Sequence, residues 1–292
     1  MARRGAGDGE PVAPWCQGRS PVHGDAHRPG TYAITARAVL GSDTLTHGVE
    51  RIRYSHITDR NIRTTALADV VLTNIVFPDV GPIGYVRGGG DRVPEALESV
   101  GLPVRVLSGD ALERGSLAGY KVIVIGPRAY EADSSLQRAN PRLMQWLAAG
   151  GTLLIQYQQT PYVRGGFEPL PLVIAGPTQN RVTDETAPVT VLDPTSPALT
   201  TPNRIGPHDF DGWVQERGLD FPASWDPRWR PLLEMHDPDN PPLRSGLLVA
   251  SVGKGTAIYT GLSFFRELPA MVPGAWRLFA NLLAVGQPAR SR

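Results

Sequence analysis

The sequence predicts an α/β fold, in which a mostly parallel sheet is flanked by helices and preceded by a short β-rich segment. Apolar runs alternate with helical patterns after Pro82, and this alternation implies right-handed βαβ units. The run at 120–125 is continuously apolar from Val122 onward, as expected for a strand covered on both faces. The 32 Gly and 28 Pro residues favour many turns and long ordered loops over a helical bundle.

Composition restricts the classes of protein that this chain can represent. Its 292 residues, 41% of them hydrophobic, can bury a sizeable core in one or two domains. A net charge of +1 argues against a dedicated nucleic-acid binder. The single cysteine, Cys16, excludes a disulfide framework and a cysteine-based zinc site within one chain. Without a long apolar run or a signal-peptide core, no membrane span is expected; the chain is expected in the cytoplasm, or outside it if it is a fragment of a longer secreted protein.

Three regions follow one another along the chain. Residues 1–30 are rich in Gly and Pro without apolar periodicity, which predicts a disordered extension. Residues 31–78 hold partly alternating segments and a β-branched run at 68–77, which predict two or three strands of a small β-sandwich whose start could be missing. Residues 79–287 are the predicted α/β domain.

The predicted elements of the α/β domain come in a regular order. Strands are expected at 83–86, 103–107, 120–125 and 152–157, and a short helix at 93–100. Asn140 is expected to cap a helix with Pro141 at its first position, running to Ala149. Residues 247–252 and 256–260 predict a hairpin at a sheet edge, and 274–285 a last helix that packs on the sheet.

Several motifs have both a chemical and a structural interpretation. Gly88-Gly-Gly-Asp91 lacks the Lys-Ser/Thr of a P-loop, so a tight turn with Asp91 capping the next helix is favoured. His208 and His236 each begin a His-Asp-x-Asp run that resembles a metal-ligand cluster, but such runs are common in turns. They are weak metal candidates, and no cofactor is expected. Ser263 follows a strand without the closing glycine of a nucleophile elbow.

A binding site is predicted at the carboxyl ends of the parallel strands, where open α/β sheets leave a crevice. The loop region 181–221 combines charged and amide side chains with aromatic ones, as sugar sites do, although a buried network that rigidifies the loop would have the same composition. The candidate ligand-binding residues are Tyr85, Asp91, Arg128, Tyr130, Gln156, Gln158, Arg181, Asp184, Glu185, Asp209, Trp213, Gln215, Glu216 and Arg266.

Four segments carry a resemblance to a known family. They begin with Ile83-Gly-Tyr-Val-Arg-Gly-Gly-Gly-Asp, Arg181-Val-Thr-Asp-Glu-Thr-Ala-Pro, Asp209-Phe-Asp-Gly-Trp-Val-Gln-Glu and Tyr259-Thr-Gly-Leu-Ser-Phe-Phe-Arg. With them, the chain resembles the C-terminal region of long bacterial PIG-L (LmbE-like) deacetylases. That resemblance implies a class I glutamine amidotransferase-like, flavodoxin-like α/β domain preceded by a small β-sandwich.

Two departures from the relatives shape the functional expectation. The His-Pro-Asp-Asp zinc signature is missing, and Tyr157-Gln158 stands where amidotransferases carry the elbow cysteine. The expected function is therefore a non-catalytic accessory module that binds a carbohydrate or polar metabolite, or that docks to a PIG-L-type deacetylase domain. One alternative is a glycan hydrolase with Glu185 or Glu216 as acid or base. The other is a purely architectural or dimerisation domain.

Overall fold

The chain divides into two compact units, Met1–Leu72 and Thr73–Arg292. The computed structural model describes residues 29–174 and 180–287. Cys16 and residues 1–28 of the predicted disordered extension lie outside the described residues.

The described part of the first unit consists of three antiparallel strand pairs. Strands β1 and β6 pair, as do β2 with β3 and β4 with β5, each as a separate two-stranded sheet. The predicted β-sandwich is not confirmed. Large apolar side chains remain exposed on these strands, among them Val39, Val49 and Leu67. The strands are β1 Gly30–Thr35, β2 Ala38–Leu40, β3 Asp43–Leu45, β4 His47–Ile52, β5 Arg60–Thr65 and β6 Leu67–Leu72.

The second unit is built on a seven-stranded, mostly parallel sheet. Its strands are β7 Ile83–Val86, β8 Val104–Val106, β9 Val122–Ile125, β10 Thr152–Gln156, β14 Arg230–Pro231, β16 Leu247–Val252 and β17 Gly255–Thr260. Their order is β14-β16-β17-β10-β9-β7-β8. Five of them run parallel, and β16 and β14 add an antiparallel margin. Two small sheets pair β11 Leu172–Val173 with β13 Ser224–Trp225, and β12 Thr190–Val191 with β15 Leu233–Glu234.

Helices cover both faces of the large sheet, which confirms the predicted α/β class. They are α1 Val93–Ser99, α2 Gly109–Arg114, α3 Ala129–Ala132, α4 Ser134–Ala148, α5 Thr160–Arg164, α6 Pro197–Thr200, α7 Phe264–Glu267 and α8 Pro273–Ala284, with a 3₁₀ turn at Pro207–Phe210. Successive residues of β9 point to opposite faces: Val124 joins the core beneath α1 and α8, and Ile125 joins the core beneath α4. Two-sided burial thus explains the continuous apolar run.

The longest helix begins earlier than predicted. Helix α4 starts at Ser134, because the Asp133 side chain accepts a hydrogen bond from the Ser135 amide at 2.8 Å and caps the first turn. Pro141 lies inside the helix, and Asn140 is a buried residue rather than a cap: its Oδ1 accepts from the Tyr130 hydroxyl at 2.6 Å. The expected start at Asn140 is therefore wrong.

The segment after β6 belongs with the second unit. The predicted strand at 68–77 ends at Leu72, and both backbone groups of Val76 bond to the Asn203 side chain at 2.9 Å. The Phe77 ring meets the edge of Trp276 at a centroid distance of 5.9 Å. These contacts anchor Val76 and Phe77, the end of the run that the sequence assigned to a strand. Among the described residues, no helix has both the length and the apolar character needed to cross a membrane.

Candidate functional site

Strands β7, β9, β10 and β17 run parallel, so their carboxyl ends meet at one edge of the sheet. The segments that follow them begin at Arg87, Gly126, Tyr157 and Gly261. Open α/β sheets bind ligands at this edge, because the loops there can diverge and leave a crevice. The predicted site residues that lie here separate into a buried layer and an exposed layer.

The buried layer starts with a chain of three predicted residues. The Tyr85 hydroxyl donates to Asp91 Oδ2 at 2.6 Å and accepts from Gln156 Nε2 at 2.8 Å. Asp91 Oδ1 also accepts from the Val93 amide at 2.9 Å and so orders the turn into α1, but the N-cap of that helix is Arg92, so the expected cap at Asp91 is not formed. Burial is the main reason that the pKa values of Asp91 and Tyr85 are raised. All three side chains are buried, so they hold the turn in place and are not presented to solvent.

Gln158 and Tyr130 complete the buried layer. Gln158 Nε2 donates to the carbonyls of Gly126 and Gln156, each at 2.9 Å, and its Oε1 accepts from the Tyr130 amide at 3.2 Å. The Tyr130 ring packs against Phe167 at 5.1 Å between centroids. Both side chains therefore join loops together and leave no polar atom for a ligand.

The exposed layer, so called because its three arginines reach solvent, is a group of charged and aromatic side chains that we name the strand-end cluster. Its members are Arg128, Glu131, Tyr157, Arg181, Glu216, Asp220, Phe265 and Arg266. At its centre, Arg181 Nη2 donates to Glu216 Oε2 at 2.6 Å and Arg266 Nε donates to Oε1 at 3.1 Å. Gln215 accepts from Arg266 Nη1. Two arginines thus share one buried carboxylate.

Tyr157 lies in the middle of this cluster, directly after β10. Its ring tilts against Phe265 at a centroid distance of 5.3 Å, and the Arg266 guanidinium lies 4.8 Å above the Phe265 ring. Burial raises the pKa of the Tyr157 hydroxyl; Arg128 and Arg266 lower it. Arg128 adopts a left-handed conformation with φ 55°, and its amide donates to the Tyr157 carbonyl at 3.0 Å. The Arg128 guanidinium pairs with the carboxylate of Glu131 on α3.

Asp220 is a cluster residue that the sequence reasoning missed. It is 1% exposed, Oδ2 accepts from Gln159 Nε2 at 3.3 Å, and Oδ1 has no partner among the described residues. Burial raises the pKa of the carboxyl, while Arg128 and Arg181 lower it. The sequence signal that could have identified Asp220 was its position one residue before Phe221, at the end of the polar loop. Phe265, the aromatic partner of Tyr157, was also missed, although it is adjacent in sequence to the predicted Arg266.

A second missed acid lies beneath the cluster. Glu267 in α7 is fully buried; its Oε2 accepts from the Val214 amide at 3.0 Å, and its Oε1 has no partner among the described residues. Burial raises the pKa of Glu267 to about 7. Ser263, also buried, has no hydrogen-bond partner for its Oγ within the described chain. Neither side chain is open to solvent.

Trp213 was expected to offer a flat face to a sugar, but the structure places it in the core. It is 3% exposed, its indole N–H donates to the Asp209 carbonyl at 3.0 Å, and its ring packs between Phe210 and Phe264. The Arg217 guanidinium lies 5.7 Å from its ring centroid. The buried-network interpretation of this part of the loop is therefore the one that its geometry favours.

The remaining predicted site residues are not part of the strand-end cluster. Asp184 accepts from the amide and hydroxyl of Thr186, and Asp209 pairs with Arg277 at 2.7 Å. Glu185 is exposed.

The two metal candidates make local contacts only. His208 is exposed and pairs with Asp211 at 2.9 Å, and His236 Nδ1 lies 2.9 Å from the Asp237 carbonyl. Within residues 29–174 and 180–287, no three His, Cys, Asp or Glu side chains converge as metal ligands would.

The surface concavities that the described residues of the second unit form include one of about 210 Å³ and one of about 230 Å³. The first lies between Asn180, Trp225 and Arg244, and the second between Thr195, Arg230 and Val249. Neither is lined by a predicted site residue.

The chain was compared with known proteins. No protein-family model matches it, and neither does any curated protein. Among solved structures, a cytoplasmic protein from Salmonella typhimurium aligns over 87% of this chain and 94% of its own, at 12% identity and a TM-score of 0.43.

Two glycosidases align over less of their own length. A β-galactosidase from Rahnella aligns over 71% of this chain and 31% of its own, at 15% identity and a TM-score of 0.40. An exo-β-1,4-mannosidase from an Opitutaceae bacterium aligns over 74% and 37%, with the same identity and TM-score. With TM-scores this low, the three likenesses carry no inference about function.

Proposed function

We propose that the second unit is a non-catalytic, glutamine amidotransferase-like module that binds a carbohydrate or another polar small molecule at the strand-end cluster. The same proposal assigns it an accessory role beside PIG-L-type deacetylation. The observation that carries the binding role is the cluster itself. Three arginines reach solvent around Tyr157 at the edge where such sheets bind ligands: Arg128, Arg181 and Arg266 have side-chain exposures of 50, 38 and 37%.

The chemistry at the strand end supports binding over catalysis. Tyr157 occupies the position at which an amidotransferase needs a thiolate, and a phenol packed on Phe265 cannot replace that nucleophile. Glu216, the acid that a glycan hydrolase would use, has both oxygens engaged by arginines. With both oxygens engaged, this carboxylate is not available to donate a proton to a substrate.

A thermal-unfolding screen tests the binding role. The full chain is heated with glucose, amino sugars and acidic sugars at millimolar concentration. A ligand present at 100 times its Kd stabilises the native state by about 2.7 kcal/mol, so the melting temperature must rise. We expect Arg128→Gln, at a half-exposed arginine of the cluster, to reduce that rise, and Arg138→Gln, at an exposed arginine outside the cluster, to keep it. The absence of any rise across the screen would contradict the proposal.

The first unit has a second candidate role, which is architectural. Its strands form isolated pairs and expose Val39, Val49 and Leu67, although two-stranded pairs are marginally stable alone. Apolar surface of this kind favours association with another protein. Sedimentation of the full chain tests it: association should weaken in Val49→Lys, and a strictly monomeric wild-type chain at all concentrations would argue against self-association.

A further inference from the structure

The trio of Arg181, Glu216 and Arg266 carries more positive than negative charge. Two guanidinium groups face one carboxylate, so one positive charge is left without a counter-ion inside the trio. The carboxylate is buried, whereas each arginine side chain is more than a third exposed. The two guanidinium groups therefore lie on the solvent side, where an anion can reach them.

The hydrogen-bonding groups of these arginines are also incompletely used. Arg181 donates from Nη2 to Glu216, but its Nε is buried and has no acceptor among the described residues. Arg266 donates from Nε and Nη1. A guanidinium carries five N–H donors in a planar fork that matches a carboxylate or a phosphate. Because both arginine side chains are more than a third exposed, the donors that Glu216 and Gln215 leave unused at their ends can meet a ligand.

Acceptors without donors lie on the other side of the cluster. Asp220 Oδ1 and Glu131 Oε1 are both buried and unpaired within the described chain. Glu131, Arg128 and Arg181 all influence the pKa of Asp220, so these charged groups lie close to its carboxyl. A carboxylate oxygen that lacks a donor is complementary to a hydroxyl group. Unused donors and unused acceptors thus occur at one site.

Resting on the binding function proposed above, we infer that the ligand is a hydroxylated anion. Its carboxylate or phosphate binds Arg181 and Arg266, and its hydroxyl groups bind on the side of Asp220 and Glu131. Sugar acids and sugar phosphates have this chemistry, because each joins one anionic group to several hydroxyls. A neutral sugar satisfies only the acceptors, and inorganic phosphate satisfies only the arginines.

Calorimetric titration of the full chain compares four probes: glucuronate, glucose 6-phosphate, glucose and inorganic phosphate. We expect glucuronate or glucose 6-phosphate to bind at least tenfold more tightly than glucose, because charge-assisted bidentate hydrogen bonds are the strong ones. Which of the two binds better identifies the anionic group. We also expect inorganic phosphate to bind more weakly than glucose 6-phosphate.

Variants separate recognition of the anion from a structural role of the arginines. Arg181→Gln and Arg266→Gln should each lower the affinity for the charged sugar by a much larger factor than the affinity for glucose. The control is Arg138→Gln, which removes an exposed arginine of α4 that pairs with Glu113 of α2. Arg181→Lys keeps the charge but loses the planar fork, so it should retain part of the preference. Circular dichroism establishes that each variant is folded, and added NaCl should weaken binding of the charged sugars only.

The outcomes distinguish this inference from the proposed function. Equal affinities for glucose and the charged sugars would overturn the inference and leave the binding module standing. Equal affinities for phosphate and glucose 6-phosphate would overturn the role given to the acceptor side. If no probe binds and the thermal screen is also negative, both proposals fail.

Discussion

Replacing Glu267 by Gln should make the stability of this protein less sensitive to pH. Glu267 is fully buried, and one of its oxygens accepts from the Val214 amide at 3.0 Å. Burial raises the pKa of its carboxyl from the ordinary 4.5 to about 7; the smaller effects of Arg217 and Arg266 lower it, and that of Glu216 raises it. The folded protein thus holds a proton that the unfolded chain releases.

The sign and size of the effect follow from proton linkage. Between pH 4.5 and about 7 the native state binds more protons than the unfolded state, so the free energy of unfolding falls as the pH rises. The stability that the neutral carboxyl provides is complete below pH 4.5 and is lost above pH 7. At about 1.4 kcal/mol per pH unit, the whole loss is about 3 kcal/mol.

Urea unfolding of both proteins, from about pH 4.5 to about pH 8, measures this loss. Taking the difference between wild type and Glu267→Gln at each pH removes the contributions of distant groups, because these are shared. We expect the variant to gain about 3 kcal/mol relative to wild type across that range. Glu95→Gln is the control. The ion pair with Arg87 lowers the pKa of the exposed Glu95 carboxyl, so the contribution of Glu95 to stability depends on pH with the opposite sign. A difference between Glu267→Gln and wild type that is constant with pH would refute the reasoning.

Three further variants test the contacts around the site. Glu216→Gln leaves two partly exposed arginines without their carboxylate, so urea unfolding should show a loss of about 1–2 kcal/mol; an unchanged midpoint would contradict the shared ion pair. Asn203→Ala frees both backbone groups of Val76, so we expect a loss of about 1–3 kcal/mol and faster hydrogen exchange at the Val76 amide; unchanged exchange would count against this anchor. Trp213→Ala should cost about 3–5 kcal/mol because the ring is buried; unchanged stability together with lost ligand binding would restore its role as a sugar platform.

The sheet could be predicted because its signals are local. A continuous apolar run at 122–125 can be satisfied only by burial on both faces, and β9 has that environment. The start of α4 could not be located in this way. Its first turn is polar, and Asn140-Pro141 gives the pattern of a helix start, although Asp133 makes the actual cap. Pairing in the first unit was equally hard to foresee, since alternation of apolar residues predicts strands but not how many sheets they form.

The edge at which the candidate site residues gather could also be predicted, since it follows from parallel strands alone. The role of each side chain at that edge could not be predicted from the sequence. Glu267 gave no signal, because its significance depends on the low dielectric around it and not on its neighbours in sequence. Trp213 gave a misleading one, because an aromatic residue in a polar loop can face either a ligand or the core, and only packing decides between them.

The division into two layers determines which residues can report on binding. The buried side chains of Asp91, Tyr85 and Gln156 hold the loop turns together, so changing them alters stability and binding at once. Arg181 and Arg266 reach solvent, so replacing either of them can change affinity while the fold persists. A loss of binding in a buried-layer variant would therefore not locate the site, whereas a loss in a folded arginine variant would. For this reason the charged-sugar titrations depend on the exposed layer.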